Sequence, residues 1–198
     1  MYKTDLENVI NKEYDAISLM KANLDYEEIE KVINAIKNTK GKVVFLGVGK
    51  SGHICEKLAA TFSSTGTPSF FVHGTEACHG DLGMITKDDI VILLSNSGTT
   101  KEVTQNINPL RNIGCKTIGF TSKKDSYLAK NTDYQLIYYF EKEADHLGLA
   151  PTVSSTLALV LGDAIACALS KSYDFKKEDF FKFHPNGALG EALSKECK

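Results

Sequence analysis

The stretch Lys87–Glu102, KDDIVILLSNSGTTKE, decides the fold. Ile90 to Leu94 is an unbroken run of five apolar residues, without the polar alternation of a half-exposed strand. Such a run fits a strand covered on both faces, as in a parallel sheet enclosed by helices. Behind it, Ser95-Asn96-Ser97-Gly98-Thr99-Thr100 sets four hydroxyls around one glycine, and a helical pattern begins at Glu102 and Val103. A loop of this kind, between a strand's C-terminal end and a helix's first turn, offers backbone N–H groups and hydroxyl donors where the helix dipole is positive. It is suited to a phosphate dianion. An ordinary capped turn would account for one or two of these hydroxyls, not four.

The same pattern recurs on both sides of this stretch. Val43–Leu46 is a buried strand ending in Gly47-Val48-Gly49-Lys50-Ser51-Gly52, and the helix after it carries Ile54, Leu58, Ala59 and Phe62 before stopping near Ser63–Gly66. Ser69–Val72, Lys116–Phe120 and Asp133–Tyr138 read as further strands, and Ser126–Lys130 as a short helix. Thr152–Lys171 reads as a long apolar helix. Two helices precede the first strand, over residues 4–22 and from Asp25 to about Lys37, the second opened by a capping box of Asp25 and Glu28. Strand and helix alternate with short links. This predicts a doubly wound, flavodoxin-like α/β sandwich with a five-stranded parallel sheet flanked by helices, whose ligands sit at the C-terminal strand ends. One domain spans 1–198, with N-terminal helices over 1–40, the α/β core over 41–171, and a tail over 172–198 that turns at His184-Pro185-Asn186-Gly187.

Composition removes several classes of function. A net charge of −2 argues against a nucleic-acid or anionic-membrane partner. Five scattered cysteines without a CxxC pair make no disulfide framework, and Met1–Asp5 lacks a leader's apolar core, so the expected address is the cytoplasm. The longest apolar stretch, Leu157–Leu169, contains Asp163 and is shorter than the roughly 18–20 residues of a membrane span.

Three motifs carry candidate chemistry. Gly47-x-Gly49-x-x-Gly52 has dinucleotide-binding spacing, but the acidic residue such a site needs after the second strand is replaced by Val72-His73. Gly49-Lys50-Ser51 suggests a P-loop, yet Val44 stands where its first glycine belongs. What remains is a tight turn presenting Lys50 and Ser51 at a helix N-terminus. The loop His73–Met84 holds His73, Glu76, Cys78, His79 and Asp81, all metal-ligand types, at a spacing that matches no structural zinc signature. Zinc is expected there, if at all, as an inhibitor held by His73 and His79. Glu102, one turn into the helix behind the hydroxyl loop, is placed to act as a base on a carbon near a bound phosphate; Glu143 follows the fifth strand.

Taken together, the segments GVGKSGHI (47–54), AATFSSTGTPSFFVHGTEACHGDLGM (59–84), LLSNSGTTKE (93–102), LGLAPTVSSTLALVLGDAIA (147–166) and HPNGALG (184–190) resemble the sugar isomerase (SIS) domain family. Within it they resemble the arabinose-5-phosphate isomerase branch most. The likeness runs from about Asp25 onward. That branch usually carries two cystathionine-β-synthase (CBS) repeats after the SIS domain, and this chain resembles a short form without them. The resemblance implies interconversion of D-arabinose 5-phosphate and D-ribulose 5-phosphate, leading into Kdo synthesis for lipopolysaccharide or capsule, by a homotetramer. It places catalytic residues at Lys50, Glu102, Glu143 and His184. Substrate contacts fall on Ser51, Gly66, Thr67, His73 and His79, and on Ser95, Asn96, Ser97 and Thr100. Many relatives have Glu-Ser-Ser after the loop glycine, where this chain has Thr99-Thr100-Lys101.

The residue types suit the reaction. The ring must open, a proton must leave C2, and it must return at C1 through a cis-enediol; neither a nicotinamide nor a metal is required. A carboxylate or imidazole within hydrogen-bond reach can take the proton, and Lys50 and His79 can face the developing oxyanion. Glu102 is the first choice as base, with His184 as ring-opening acid/base or alternative base, and the residues leave that order open. Two rivals stand beside this reading: another SIS isomerase acting on a heptose or hexulose phosphate, and a sugar-phosphate-sensing SIS protein. The sensor class carries a basic helix-turn-helix region, whereas the roughly forty residues before the first strand are mixed in charge.

Overall fold

The computed structural model describes residues 2–186, so Cys197 and part of the 184–190 motif lie outside the described residues. Strand β3 (Ile90–Leu94) is buried at all five positions. It lies between β1 (Val43–Gly47) and β4 (Lys116–Thr121), with β2 (Ser69–His73) and β5 (Tyr134–Ile137) at the edges. The order β2-β1-β3-β4-β5 is parallel throughout, as expected for the doubly wound class. Val43 pairs with Ile90 and Leu46 with Leu93, so β1 and β3 end level with each other. The direction in which successive strands are laid down reverses between them, and the crevice beyond their C-terminal ends is where this architecture takes ligands.

Period-two alternation builds two cores from the same strands. Val43, Phe45, Ile90, Ile92 and Leu94 face α1 (Tyr2–Asn23), α2 (Tyr26–Lys37), α3 (Gly49–Ser64) and α8 (Val153–Ser172). Val44, Leu46, Val91 and Leu93 face α4 (Gly74–Ala77), α5 (Lys101–Thr104), α6 (Ile107–Ile113) and α7 (Tyr127–Asn131). The helix α8 is 20 residues, long and apolar enough by length and composition to cross a membrane, which the shorter apolar stretch counted in the sequence was not. Here its Leu157, Leu161 and Ile165 are buried in the core, Gly162 lies against Leu58 of α3, and Asp163 pairs with Lys57 at 2.6 Å.

Four local expectations need correction. Asp25 does cap α2, accepting from the Glu28 N–H at 3.0 Å, but the Glu28 carboxylate turns to Lys31 and the Gln135 N–H, so the box is half made. The single helix expected behind the hydroxyl loop is two short ones. The side chain of Asn106 donates to the Glu102 carbonyl, and Pro109 lacks the N–H a continuous helix would supply to Gln105. The histidine loop contains α4 and a 3-10 turn, Asp81–Met84. The tail forms a seven-residue helix, α9 (Lys177–Phe183), before His184.

Candidate active site

Helix α3 starts directly behind β1. Its N-cap is Val48, which has no capping side chain, and a positive φ of 57° at Gly49 lets the chain turn tightly into the helix. The first-turn N–H groups beside Lys50 and Ser51 therefore have no side-chain cap, an arrangement open to an anion. Across the crevice, the first turn of α8 brings Ser154 and Ser155 to the same place. Lys50, Ser51, Asn96, Tyr138, Ser154 and Ser155 line one small cleft of about 50 Å³ beside the end of β3.

The hydroxyl loop is tightly organised. Ser95 is 1% exposed; its Oγ accepts from the Gly98 N–H at 3.1 Å and lies 2.8 Å from Thr100 Oγ1. Gly98 has a φ of 65°, and a Cβ there would overlap Ser126, so the loop closes only around glycine. Ser97 is exposed and accepts from the N–H and hydroxyl of Thr99 at 3.2 and 3.1 Å. Asn96 is fixed through its backbone carbonyl, which accepts from Thr121 Oγ1, Ser122 Oγ and the Ser122 N–H at 3.0, 2.9 and 3.2 Å.

Glu102 is exposed in the first turn of α5, not a full turn in. Its neighbour across the loop is the end of β2. Asn106, fully buried, donates from one amide nitrogen to Gly74 O (3.0 Å) and Glu102 O (2.8 Å) and accepts from Cys78 Sγ (3.1 Å). This clamp holds the histidine loop against the segment carrying Glu102. His73 and His79 are both exposed on that loop. Among the described residues, no three His, Cys, Asp or Glu side chains gather closely enough to hold a metal.

Glu143 stands elsewhere in the network. It is 8% exposed, and its Oε2 accepts from the Thr152 N–H (2.9 Å), the Thr152 hydroxyl (3.2 Å) and the Ser154 N–H (3.1 Å). That is a carboxylate cap on the positive end of α8.

The remaining site candidates lie apart from this cleft. Gly66 and Thr67 precede β2, at the opposite end of the sheet, with the strand's length of about 13 Å between them and His73. Thr67 is 4% exposed, and its hydroxyl makes no well-formed hydrogen bond among the described residues. His184 follows α9, stacked on Phe180 with ring centroids 4.0 Å apart and Nδ1 3.0 Å from Phe180 O. With Phe183 it borders a groove of about 930 Å³ against the N-terminal half of β2, including Lys42, Pro68, Ser69 and Phe70. One chain thus brings together Lys50, Ser51 and Asn96, with the hydroxyl loop and Glu102 adjoining, and leaves His184, Gly66 and Thr67 at the other end of the sheet.

Two residues here escaped the sequence reading. Asn106 lay inside an expected helix, where asparagine usually faces solvent, and its misfit with helix propensity was the one available signal. Tyr138 closed an expected strand, with nothing local to mark a polar role. Its hydroxyl, buried beside the cleft, donates to Asn96 Oδ1 at 3.1 Å.

Known proteins share this sequence pattern and fold. The chain is 46% identical over 183 residues to the arabinose 5-phosphate isomerase KdsD of Francisella tularensis, covering 91% of this chain and 56% of that protein. It is 54% identical over 154 residues to the KdsD of Shigella flexneri, covering 78% of this chain and 47% of that protein. The chain therefore spans about half the length of these curated relatives. Among solved structures, an Escherichia coli CFT073 protein in complex with arabinose 5-phosphate superposes with a TM-score of 0.88 at 49% identity, covering 91% of this chain and 95% of that one. The SIS domain model matches residues 35–168, and with these likenesses the chain belongs to the SIS domain family.

Proposed function

We propose that this chain interconverts D-arabinose 5-phosphate and D-ribulose 5-phosphate, an aldose–ketose isomerisation through a cis-enediol. The observation that carries the reading is the 49% identity, over nearly the full length of both chains, to a protein solved with arabinose 5-phosphate. The geometry supports it. The hydroxyl loop Ser95–Thr100, together with Ser51 at the uncapped N-terminus of α3, forms a donor-rich end for the phosphate, with Asn96 lining the same cleft. Glu102, exposed next to that loop, is the proposed base for the C2 proton. Lys50 and His79 face the oxyanion that develops on the sugar. Glu143 supports the site by capping α8 instead of touching the sugar.

The substrate is larger than the cleft of about 50 Å³ in one chain, and His184 borders a groove at the far end of β2. We propose that a second copy completes the site, His184 of one protomer serving the Glu102 of another within a homotetramer. Catalysis needs no metal, and zinc inhibits by capturing His73 and His79.

A coupled assay of purified protein on arabinose 5-phosphate, with product identity read by NMR, tests the reading. Turnover that survives exhaustive EDTA and falls on added zinc is the expected result. Activity on a heptose or hexulose phosphate but not on arabinose 5-phosphate would assign the rival isomerase. A chelated protein revived only by zinc would overturn the metal-free route.

A further inference from the structure

Tyr138 is an unusual residue to find at a phosphate cleft. It is 1% exposed, yet it lines the cleft. Its ring is held edge-on to Phe120 with centroids 5.5 Å apart, and lies nearly parallel to Phe140 at 6.4 Å. Its backbone N–H bonds to Thr121 O at 3.2 Å. The hydroxyl is thereby fixed in space before any ligand arrives. Burial, and then the negative charge of Glu143, push the phenol's pKa up, so it stays protonated across the physiological range and acts as a donor.

The acceptor it meets is Asn96 Oδ1, at 3.1 Å. An asparagine amide has one carbonyl and one NH2, and either end can face a ligand. A phosphate site needs the NH2, since a carbonyl lone pair repels a dianion. The backbone of Asn96 is already fixed by three donors from Thr121 and Ser122. With the carbonyl taken by Tyr138, the amide NH2 of Asn96 has no hydrogen-bond partner among the described residues, and Asn96 lines the cleft with Lys50 and Ser51.

We infer that Tyr138 is a positioning residue for this chain's phosphate subsite, orienting the Asn96 amide so that its NH2 meets the substrate's phosphate. This rests on the isomerase reading for the identity of the substrate, but not for the chemistry of the anion. It assigns a role in recognition to a hydroxyl that packing alone does not require, because phenylalanine would fill the same space.

The test is Tyr138→Phe, which keeps the ring and deletes only the hydroxyl. Set beside it are Asn96→Ala and the double variant. The expected result is a KM for arabinose 5-phosphate raised about three- to tenfold, from one lost hydrogen bond, with kcat within about twofold and an unchanged melting temperature. The double variant should be no worse than Asn96→Ala alone, because Tyr138 acts through Asn96. Inorganic phosphate, titrated calorimetrically, should show the same ratio of affinities without any turnover. An unchanged KM and phosphate affinity in Tyr138→Phe would overturn the proposal. So would a full extra loss in the Asn96→Ala background, a fall in melting temperature that accounts for the effect, or a wild-type protein that binds no phosphate. A wild-type protein that binds phosphate but does not turn over arabinose 5-phosphate would sink the isomerase reading alone, with Tyr138 still judged on the phosphate ratio.

Discussion

Ser95 is 1% exposed and its hydroxyl accepts from the Gly98 N–H, whereas Ser97, two residues on, faces solvent and, among the described residues, bonds only to Thr99. A strand's exit explains the difference: Ser95 continues the inward direction of β3, and the turn then lifts Ser97 outward. We expect the two serines to fail differently. Ser97→Ala should raise the substrate KM by about ten- to a hundredfold, since a hydrogen bond to a charged acceptor is worth about 1.5–3 kcal/mol, and should leave stability unchanged. Ser95→Ala should lower stability by about 1 kcal/mol by loosening the loop, with any KM change following from that. Steady-state kinetics paired with urea unfolding separates them, and identical profiles for both variants would contradict this division.

Among the elements, α8 depends on a residue outside itself. Its N-cap, Thr152, makes no side-chain cap, and the Glu143 carboxylate takes the Thr152 and Ser154 N–H groups instead. Glu143→Ala removes a charged cap from a buried helix end and should cost about 2–3 kcal/mol, seen as a lower urea midpoint. Glu143→Gln should recover most of it by keeping an acceptor. A Glu143→Ala protein of wild-type stability with no activity would show the carboxylate to be catalytic after all. A second carboxylate ties β4 to β5: Asp133 accepts from the N–H and hydroxyl of Thr117, both at 2.9 Å, and pairs with Lys116 at 3.3 Å. Partial burial pushes its pKa up, but those hydrogen bonds and the lysine outweigh it and hold the group below the usual carboxylate range. A depressed folded pKa gives stability that is fully present above the unfolded value, about 3.9, and is lost as pH falls through the folded one. Asp133→Asn should therefore destabilise at pH 7, and the gap to wild type should close on acidification. A gap that stays constant with pH would rule out this linkage.

At the scale of the molecule, two surfaces bear on the proposed assembly. Helix α1 exposes Tyr2, Leu6, Ile10 and Tyr14, spaced four apart on one face, at 79, 63, 65 and 70%. His184 borders a wide groove remote from Glu102. If protomers share sites, two inactive variants should complement. Glu102→Gln and His184→Ala, unfolded together, mixed and refolded, would then form some sites with both wild-type residues and regain a measurable fraction of activity. A demonstrably mixed oligomer with no more activity than either variant alone would put His184 in the same chain's site.

The sequence by itself determined the sheet and the loops at its upper edge. Buried parallel strands are short and uniformly apolar, so Ile90–Leu94 and Val43–Leu46 stood out against the rest, and all five strands came within a residue or two of their places. Glycine and hydroxyl residues behind such runs mark strand–helix turns, so Lys50, Ser51 and the Ser95–Thr100 loop could be placed at the same end of the sheet from the sequence. Tertiary structure alone decided which hydroxyls turn inward, that Glu143 caps a helix, and that Asn106 and Tyr138 spend their polar groups on the site's walls. The last three roles come from contacts far apart in sequence: 9 residues for Glu143 with Thr152, 32 for Asn106 with Gly74 and 42 for Tyr138 with Asn96. Local periodicity carries no information at that range. The same limit separated His184 from Glu102: the family resemblance grouped both as catalytic, and only the folded chain put them at opposite ends of the sheet.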